Sequence, residues 1–348
     1  MNARFGRAGV DLGLSIGVTA CALAVSLLLA VASGASAGDT ASAFLTGAFG
    51  SGDAVGSTLQ KMVPLVFVAL GWILVFSGGR FHVGFQGQIL IGGIFSTVVA
   101  LKLSSLPGFL HLPLAVLAGI VGGALYAAVA AWLWAKRGVN EILSTLLLNL
   151  VAIQVVAWLV RGPLQESGHT LSQTDFFSDS ALWPALPGQT FVHWDVLLMP
   201  VGVLLVSAVL LRTTFGFRLR LTGANDTAAR HAGVSPTRIG VQVIVASGAL
   251  AGLAGGSLIL AGGTRAMTDN FDVGYGFQGI AVALLARNSP IGSIPAALLF
   301  AALSQGSGLV EAQAGVSSAV VGVTQGLVIV FVLASGGLLD TARRRKVR

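Results

Sequence analysis

Long apolar runs separated by short polar breaks dominate the chain. Runs of spanning length lie at about 11 to 32, 62 to 79, 84 to 103, 112 to 135, 142 to 160, 196 to 211, 239 to 261, 277 to 287, 291 to 310 and 318 to 338. A helix needs roughly 20 mostly apolar residues to cross the hydrocarbon core of a bilayer. The pattern therefore predicts an all-α integral membrane protein of about ten transmembrane helices, organised as one domain over residues 1–348. The eighth run is too short for a full crossing and ends in Arg287-Asn288-Ser289-Pro290, which suits a broken or re-entrant segment packed against protein.

Composition removes the main alternatives. Hydrophobic residues make up 55% of the chain and charged residues 9%, with a mean hydropathy of +0.87; soluble domains carry roughly 25% charged residues. Ten spans leave no room for a large soluble domain, which excludes a water-soluble enzyme on a grafted anchor. Glycine at 47 of 348 positions suits closely packed membrane helices. The single cysteine, Cys21, lies in an apolar run, so neither a disulfide framework nor a cysteine-based metal site can be built from this chain alone. No cofactor or metal site is expected.

The net charge of +7 is a matter of topology rather than of nucleic-acid binding. With the N-terminus in the cytoplasm, 16 basic residues fall inside and only Lys61, Lys102, Arg161 and Arg265 fall outside. Cytoplasmic enrichment of Lys and Arg then places both termini inside, in a cell (inner) membrane. The first apolar stretch imitates a secretory signal with Ala35-Ser36-Ala37, and Val18-Thr19-Ala20-Cys21 imitates a lipoprotein cleavage box. The stretch exceeds a signal core in length and is expected to stay as an anchor.

Three polar segments interrupt this pattern. Residues 162–195 carry Pro163, Pro184, Pro187 and Gly188 and read as an ordered extracytoplasmic loop. Residues 212–238 read as a cytoplasmic docking loop, in which Asn225 or Asp226 caps a short helix running through Ala232 and Gly233 ends it. Residues 340–348 form a basic cytoplasmic tail, most simply a lipid-headgroup anchor.

Three stretches carry a resemblance. Gly138-Val139-Asn140-Glu141-Ile142-Leu143-Ser144-Thr145-Leu146-Leu147-Leu148-Asn149, the loop from Phe215 to Val234, and Gly274-Tyr275-Gly276-Phe277-Gln278-Gly279-Ile280-Ala281-Val282-Ala283-Leu284-Leu285 closely resemble permease subunits of ATP-binding-cassette importers for nucleosides and simple sugars. The likeness covers nearly the whole chain. Phe81-His82-Val83-Gly84-Phe85-Gln86-Gly87-Gln88 stands where that family has Phe-Asn-Ile-Gly-Ala-Glu-Gly-Gln, with His82, Phe85 and Gln86 as departures. The resemblance implies a second permease subunit, identical or homologous, two cytoplasmic ATPase subunits and an extracytoplasmic substrate-binding lipoprotein. Nucleosides lead as its implied cargo, followed by simple sugars and branched-chain amino acids. The chain has no Gly-x-x-x-x-Gly-Lys-Ser/Thr phosphate cradle, so ATP would be hydrolysed on a partner and this subunit is not itself an enzyme.

The candidate residues each admit a plainer role. Gln86, Gln88, Glu141, Ser144, Thr145, Asn149 and Gln278 are candidates for a substrate path lined by spans three, five and eight. Against this, Glu141 follows Asn140 at a helix start and suits the dipole of a first turn. Ser144, Thr145 and Asn149 share its face and suit interhelical hydrogen bonding equally. Gln86 and Gln88 sit where the chain re-enters the membrane, where freed backbone groups need partners. Gly223, Asn225, Ala228, Ala229, Arg230, His231 and Gly233 form the candidate ATPase-coupling surface; the alternative is anchoring by Arg218, Arg220 and Arg230 alone. Gly84-Phe85-Gln86-Gly87 recurs as Gly276-Phe277-Gln278-Gly279, which admits two inverted halves. The rival function is a secondary transporter working alone on an ion gradient. It needs ionisable groups at mid-membrane, and Glu141 is the only acidic residue these spans offer away from their ends.

Overall fold

The computed structural model describes residues 36–314, apart from 189, 262 and 273, together with Val323 and Gly326. The helices are α1 (Ala37–Phe49), α2 (Gly52–Ser77), α3 (Phe85–Lys102), α4 (Gly108–Arg137), α5 (Glu141–Val160), α6 (Leu198–Arg212), α7 (Thr214–Ala224), α8 (Asp226–His231), α9 (Pro236–Leu260), α10 (Tyr275–Leu285) and α11 (Ser293–Ala314). Among the described residues seven helices are long and apolar enough to cross a membrane, and α10, at 11 residues, is the short eighth run. The expected spans at 11 to 32 and 318 to 338 lie outside the described residues.

Two compact units divide the chain. Among the described residues, those up to 59 together with those from 298 onward form one, and those within 60–297 form the other, which holds every candidate site residue. In the first unit, Ser36 caps α1 by accepting from the Asp39 N–H, and Thr58 Oγ1 donates to Ala48 O at 2.9 Å. Neither α1 nor the first turns of α2 was expected. The apolar run near 62 marks only the water-excluded part of α2, while Ser57, Thr58 and Gln60 continue the same helix through polar sequence.

In the larger unit α9 packs against α3 and α4 through backbone. A Cβ on Gly252 would lie 2.1 Å from Gly119 O, one on Gly123 2.3 Å from Gly248 O, and one on Gly92 2.5 Å from the Gly252 Cα. Small residues let membrane helices approach this closely, where dispersion and weak Cα–H contacts replace a hydrophobic drive that lipid does not supply. By contrast α5 presents Leu143, Leu147, Leu150, Val151 and Trp158 outward, the surface expected of a helix facing lipid or another membrane subunit.

Local sequence explains the helix ends. Asn140 Oδ1 accepts the Ile142 and Leu143 N–H groups at 3.0 and 3.2 Å, capping α5 as read, a device worth about 1 kcal/mol. Gly138, at φ +66°, closes α4 with the Gly138 N–H on Trp134 O and the Val139 N–H on Leu133 O. Asn225 caps α8 through the Thr227 and Ala228 N–H groups, and Gly233 at φ +75° follows its end, again as the sequence indicates. The loop ahead of that short helix is helical as well. Thr213 caps α7, and Gly216 turns it back against α6 so closely that a Cβ would meet Val209 O at 2.1 Å.

Among its described residues the segment 162–195 has two short 3-10 turns and isolated bridges, to Thr268 from Gln173 and between Ala185 and His193. Glu166 organises its first half, accepting from Thr170 Oγ1 at 2.6 Å, the Leu171 N–H at 2.8 Å and Gln173 Nε2 at 2.9 Å. Those bonds hold its carboxyl down to about 2.

Candidate functional site

Two chain segments enter the bundle from opposite ends and start helices where they meet. Residues 78–84 come in beside the start of α5: the Val83 N–H points at Thr145 Oγ1 (3.4 Å), Val83 O accepts from Asn149 Nδ2 at 2.9 Å, and Asn149 Oδ1 accepts the Gly87 N–H at 2.8 Å. Asn149 is eight residues into α5, so α3 begins about 12 Å along that helix. From the other end, residues 263–272 run back along α3. Thr97 Oγ1 donates to Met267 Sδ, Phe271 fills the space beside Gly93, and Asp272 reaches Gln86. That descent covers roughly 16 Å of α3.

At the junction Gln86 Nε2 donates to Asp272 Oδ2 at 2.7 Å, Gln86 Oε1 accepts the Gly276 N–H at 3.1 Å, and Asp272 Oδ1 accepts the Tyr275 N–H at 2.9 Å. One glutamine thus holds both the carboxylate and a free N–H at the start of α10, whose first-turn donors have no intrahelical partners. The fit is close: a Cβ on Gly276 would lie 2.4 Å from Gln86 N. Beside it the Gln88 amide lies 2.5 Å from His82 Nε2, and the His82 ring packs edge-on against Phe85 at 5.1 Å. Two of the three departures from the resembling motif, His82 and Gln86, are therefore residues that make the junction's hydrogen bonds, and the third, Phe85, packs on the His82 ring.

Sequence reasoning named Gln86, Gln88, Thr145 and Asn149, and the structure gathers all four around the start of α3, each buried. Asn149 bonds the re-entering backbone, Gln86 bonds Asp272 and the start of α10, Gln88 bonds the His82 side chain, and Thr145 Oγ1 faces the Val83 N–H while donating to carbonyls of its own helix. Glu141 and Ser144 stand a turn or two away at the start of α5; Glu141 is buried with Oε1 lacking a hydrogen-bond partner among the described residues, while its backbone carbonyl accepts from Ser144 Oγ and Thr145 Oγ1. Gln278 is half-buried in the first turn of α10. Sequence reasoning missed Asp272. The available signal was its place just ahead of the Gly274-Tyr275-Gly276 helix start.

At the end of the bundle where α5 starts, α8 connects to the same machinery. Arg80 lies with its guanidinium carbon 4.1 Å from the Trp134 ring centroid and Nη2 3.8 Å from Asp226 Oδ2, the first residue of α8. A Cβ on Gly223 would come 2.3 Å from Ser77 O and 3.0 Å from Gly79 N. The α7–α8 elbow therefore rests on the backbone that leads through Arg80 and His82 into α3. Asn225, Ala228, Arg230, His231 and Gly233 are exposed, but Ala229 is fully buried. Its place on the docking surface was expected from its size; the helical turn instead carries it to the inner face, one residue past Ala228.

The family model described as the permease component of branched-chain amino acid transport systems matches residues 54–333. The chain belongs to this family. Among similar proteins, the glucose ABC transporter permease protein of Haloferax volcanii is 39% identical over 287 residues, covering 80% of this permease and 75% of that protein. The nucleoside ABC transporter permease protein NupB of Lactococcus lactis is 32% identical, covering 75% and 74%. The guanosine ABC transporter permease protein NupP of Bacillus subtilis is 30% identical and covers 90% of each chain. The permease is thus a multi-pass membrane protein.

Proposed function

We propose that this chain is a permease subunit of an ATP-driven importer, carrying a nucleoside or a simple sugar released by an extracytoplasmic binding lipoprotein. The observation that carries this reading is the 39% identity to a glucose permease over most of both chains, beside the guanosine permease that matches along 90% of each. A second permease subunit, identical or homologous, completes the path. Cytoplasmic ATPase subunits dock on the exposed side of α8, and the protein lies in the cytoplasmic membrane with both termini inside. Distribution of basic residues supports that orientation, because it leaves few of them on the outer side.

In mechanism, closure of the ATPases pushes α8. The push passes through the Gly223–Ser77 backbone contact and through Arg80 into residues 78–84, and so to the start of α3. There the Gln86–Asp272–Gly276 bonds couple it to α10. Movement of both helix starts together changes the exposure of the Gln88, Asn149 and Gln278 region to one side or the other, which is the kind of rigid-body gating seen where broken helices meet.

The test is recovery of partners from the native membrane. Ala228→Glu, on the exposed face of α8, is expected to abolish co-purification of an ATPase carrying a phosphate-cradle motif while leaving membrane insertion intact. Unchanged recovery of that ATPase removes α8 from the interface. If the wild-type chain comes out alone and, reconstituted, moves solute on an ion gradient without ATP, the importer reading is wrong and Glu141 becomes the coupling-site candidate.

A further inference from the structure

The outward face of α5 carries more than aliphatic side chains. Leu150, Val151, Gln154, Val155 and Trp158 line an open groove of about 410 Å³ on it, within the roughly 300–1,000 Å³ usual for small-molecule sites. Gln154 and Trp158 stand four residues apart, so one helical turn sets them on a single face. Both are exposed, Trp158 at 64%, and no hydrogen bond joins either side chain to another described residue. The other polar side chains of this helix are committed inward: Glu141, Ser144, Thr145 and Asn149 are all buried.

A tryptophan near a helix end fits an interfacial belt by itself. Gln154 does not. It lies six residues before the end of α5, about 9 Å along the axis, where hydrocarbon offers an amide no partner. The groove therefore faces something that hydrogen-bonds. An amide sets an acceptor beside two donors, which matches the polar edge of a nucleobase or neighbouring hydroxyls of a sugar. One turn along, an indole takes the flat side of a base by stacking or the C–H side of a sugar ring by apolar contact.

We infer that this groove is a substrate subsite, in which the ring of the transported molecule lies on the Trp158 indole while the Gln154 amide bonds its polar edge. The inference rests on the transport reading above and deepens it, with the second permease subunit closing the open side. Solute then passes along the outward face of α5, and the buried Asn149 holds the fold.

The experiment is ATP-driven uptake by the complete importer in proteoliposomes, with guanosine and glucose as parents. The analogues are purine riboside, which keeps the rings but lacks both exocyclic edge groups of guanine, and glucoses lacking the 2-, 3- or 4-hydroxyl in turn. The parent that moves identifies the ring. Trp158→Leu is expected to cut its uptake roughly 10-fold, and Trp158→Phe, which keeps an aromatic face, to stay within about 3-fold of wild type. Wild type is expected to prefer the parent over at least one analogue by about 5-fold or more, and Gln154→Leu to narrow that gap to about 2-fold or less. Recovery of the ATPase and of the second permease subunit should be unchanged in all three variants. Wild-type uptake in Trp158→Leu, or a Trp158→Phe that transports as poorly, overturns the subsite. So does a wild type without any gap, or a gap that Gln154→Leu leaves unaltered; the face is then a lipid-facing one. Loss of the second permease subunit from Gln154→Leu overturns it as well, and makes the face a contact between subunits. A wild-type complex that moves neither parent overturns the transport reading, and the subsite with it.

Discussion

Gln86 and Asp272 stand 186 positions apart in sequence and are joined by a 2.7 Å hydrogen bond that ties the start of one helix to the start of another. The amide is matched to its partner. A glutamate in its place, as in the resembling permeases, would set two carboxylates against each other, with the Gly276 and Tyr275 N–H groups left to serve them but no donor joining one to the other. Gln86→Glu is therefore expected to lower stability by about 3 kcal/mol, the cost typical of breaking a buried charged pairing. Thermal unfolding in mild detergent measures it, and a variant as stable as wild type would show the bond to be dispensable.

Asn149 bonds the re-entering segment twice, to Gly87 and to Val83. Removing both bonds with Asn149→Ala should cost roughly 2 kcal/mol, at about 1 kcal/mol each. Asn149→Asp keeps the acceptor for Gly87 and loses the donor to Val83. If the side chain only lines a path, both variants will alter transport and leave the melting temperature where it was.

The elbow contact at Gly223 has no space for a side chain. Gly223→Val forces α7 away from Ser77 and should destabilise by about 1–3 kcal/mol through overpacking. ATPase recovery is expected to survive, since the exposed face of α8 is untouched, while uptake falls. Uptake at wild-type rates would remove this contact from the transmission route.

Breaking the Arg80–Asp226 pair should do far less. At 3.8 Å with Asp226 half exposed, it contributes about 1 kcal/mol or less. Asp226→Asn is expected to leave the melting temperature within experimental scatter, and Arg80→Leu to lower it further by losing the stacking on Trp134 as well. Equal melting temperatures for the two variants would contradict that division.

Acid should loosen the 166–173 turn. The Glu166 carboxyl lies at about 2, below its ordinary 4.5, so its bonds stabilise the loop fully above about 4.5. That contribution fades as pH falls through the folded value near 2. Amide exchange at Leu171, corrected for intrinsic rate, should stay slow to about pH 3 and rise below it. Glu166→Gln should remove the transition.

Sequence pattern carried the helices and their ends well wherever the signal is local. Asn140, Asn225 and Gly233 each announce a boundary through chemistry within a few residues, and the structure places a cap or a left-handed turn at all three. The polar start of α2 and the whole of α1 escaped, because hydropathy reports contact with lipid and says little of helix that continues into water. Gln86 and Asn149 were legible as polar residues in apolar surroundings. Their partners were not: pairing Gln86 with Asp272, or Gln60 with Asp195, needs the fold to bring distant segments together. Nor does residue size tell which way a short helix turns, and so Ala229 was assigned to the wrong face of α8.

The glycine crossings of α3, α4 and α9 bear on what can move. Helices that meet through side chains can slide by swapping rotamers, but helices whose backbones touch at Gly92, Gly119 and Gly252 have no such slack. Those three helices can shift only as one block. On the coupling proposed above, the α8 elbow therefore moves the start of α3 together with its glycine-locked neighbours, in the way a key turns a whole cylinder rather than a single pin.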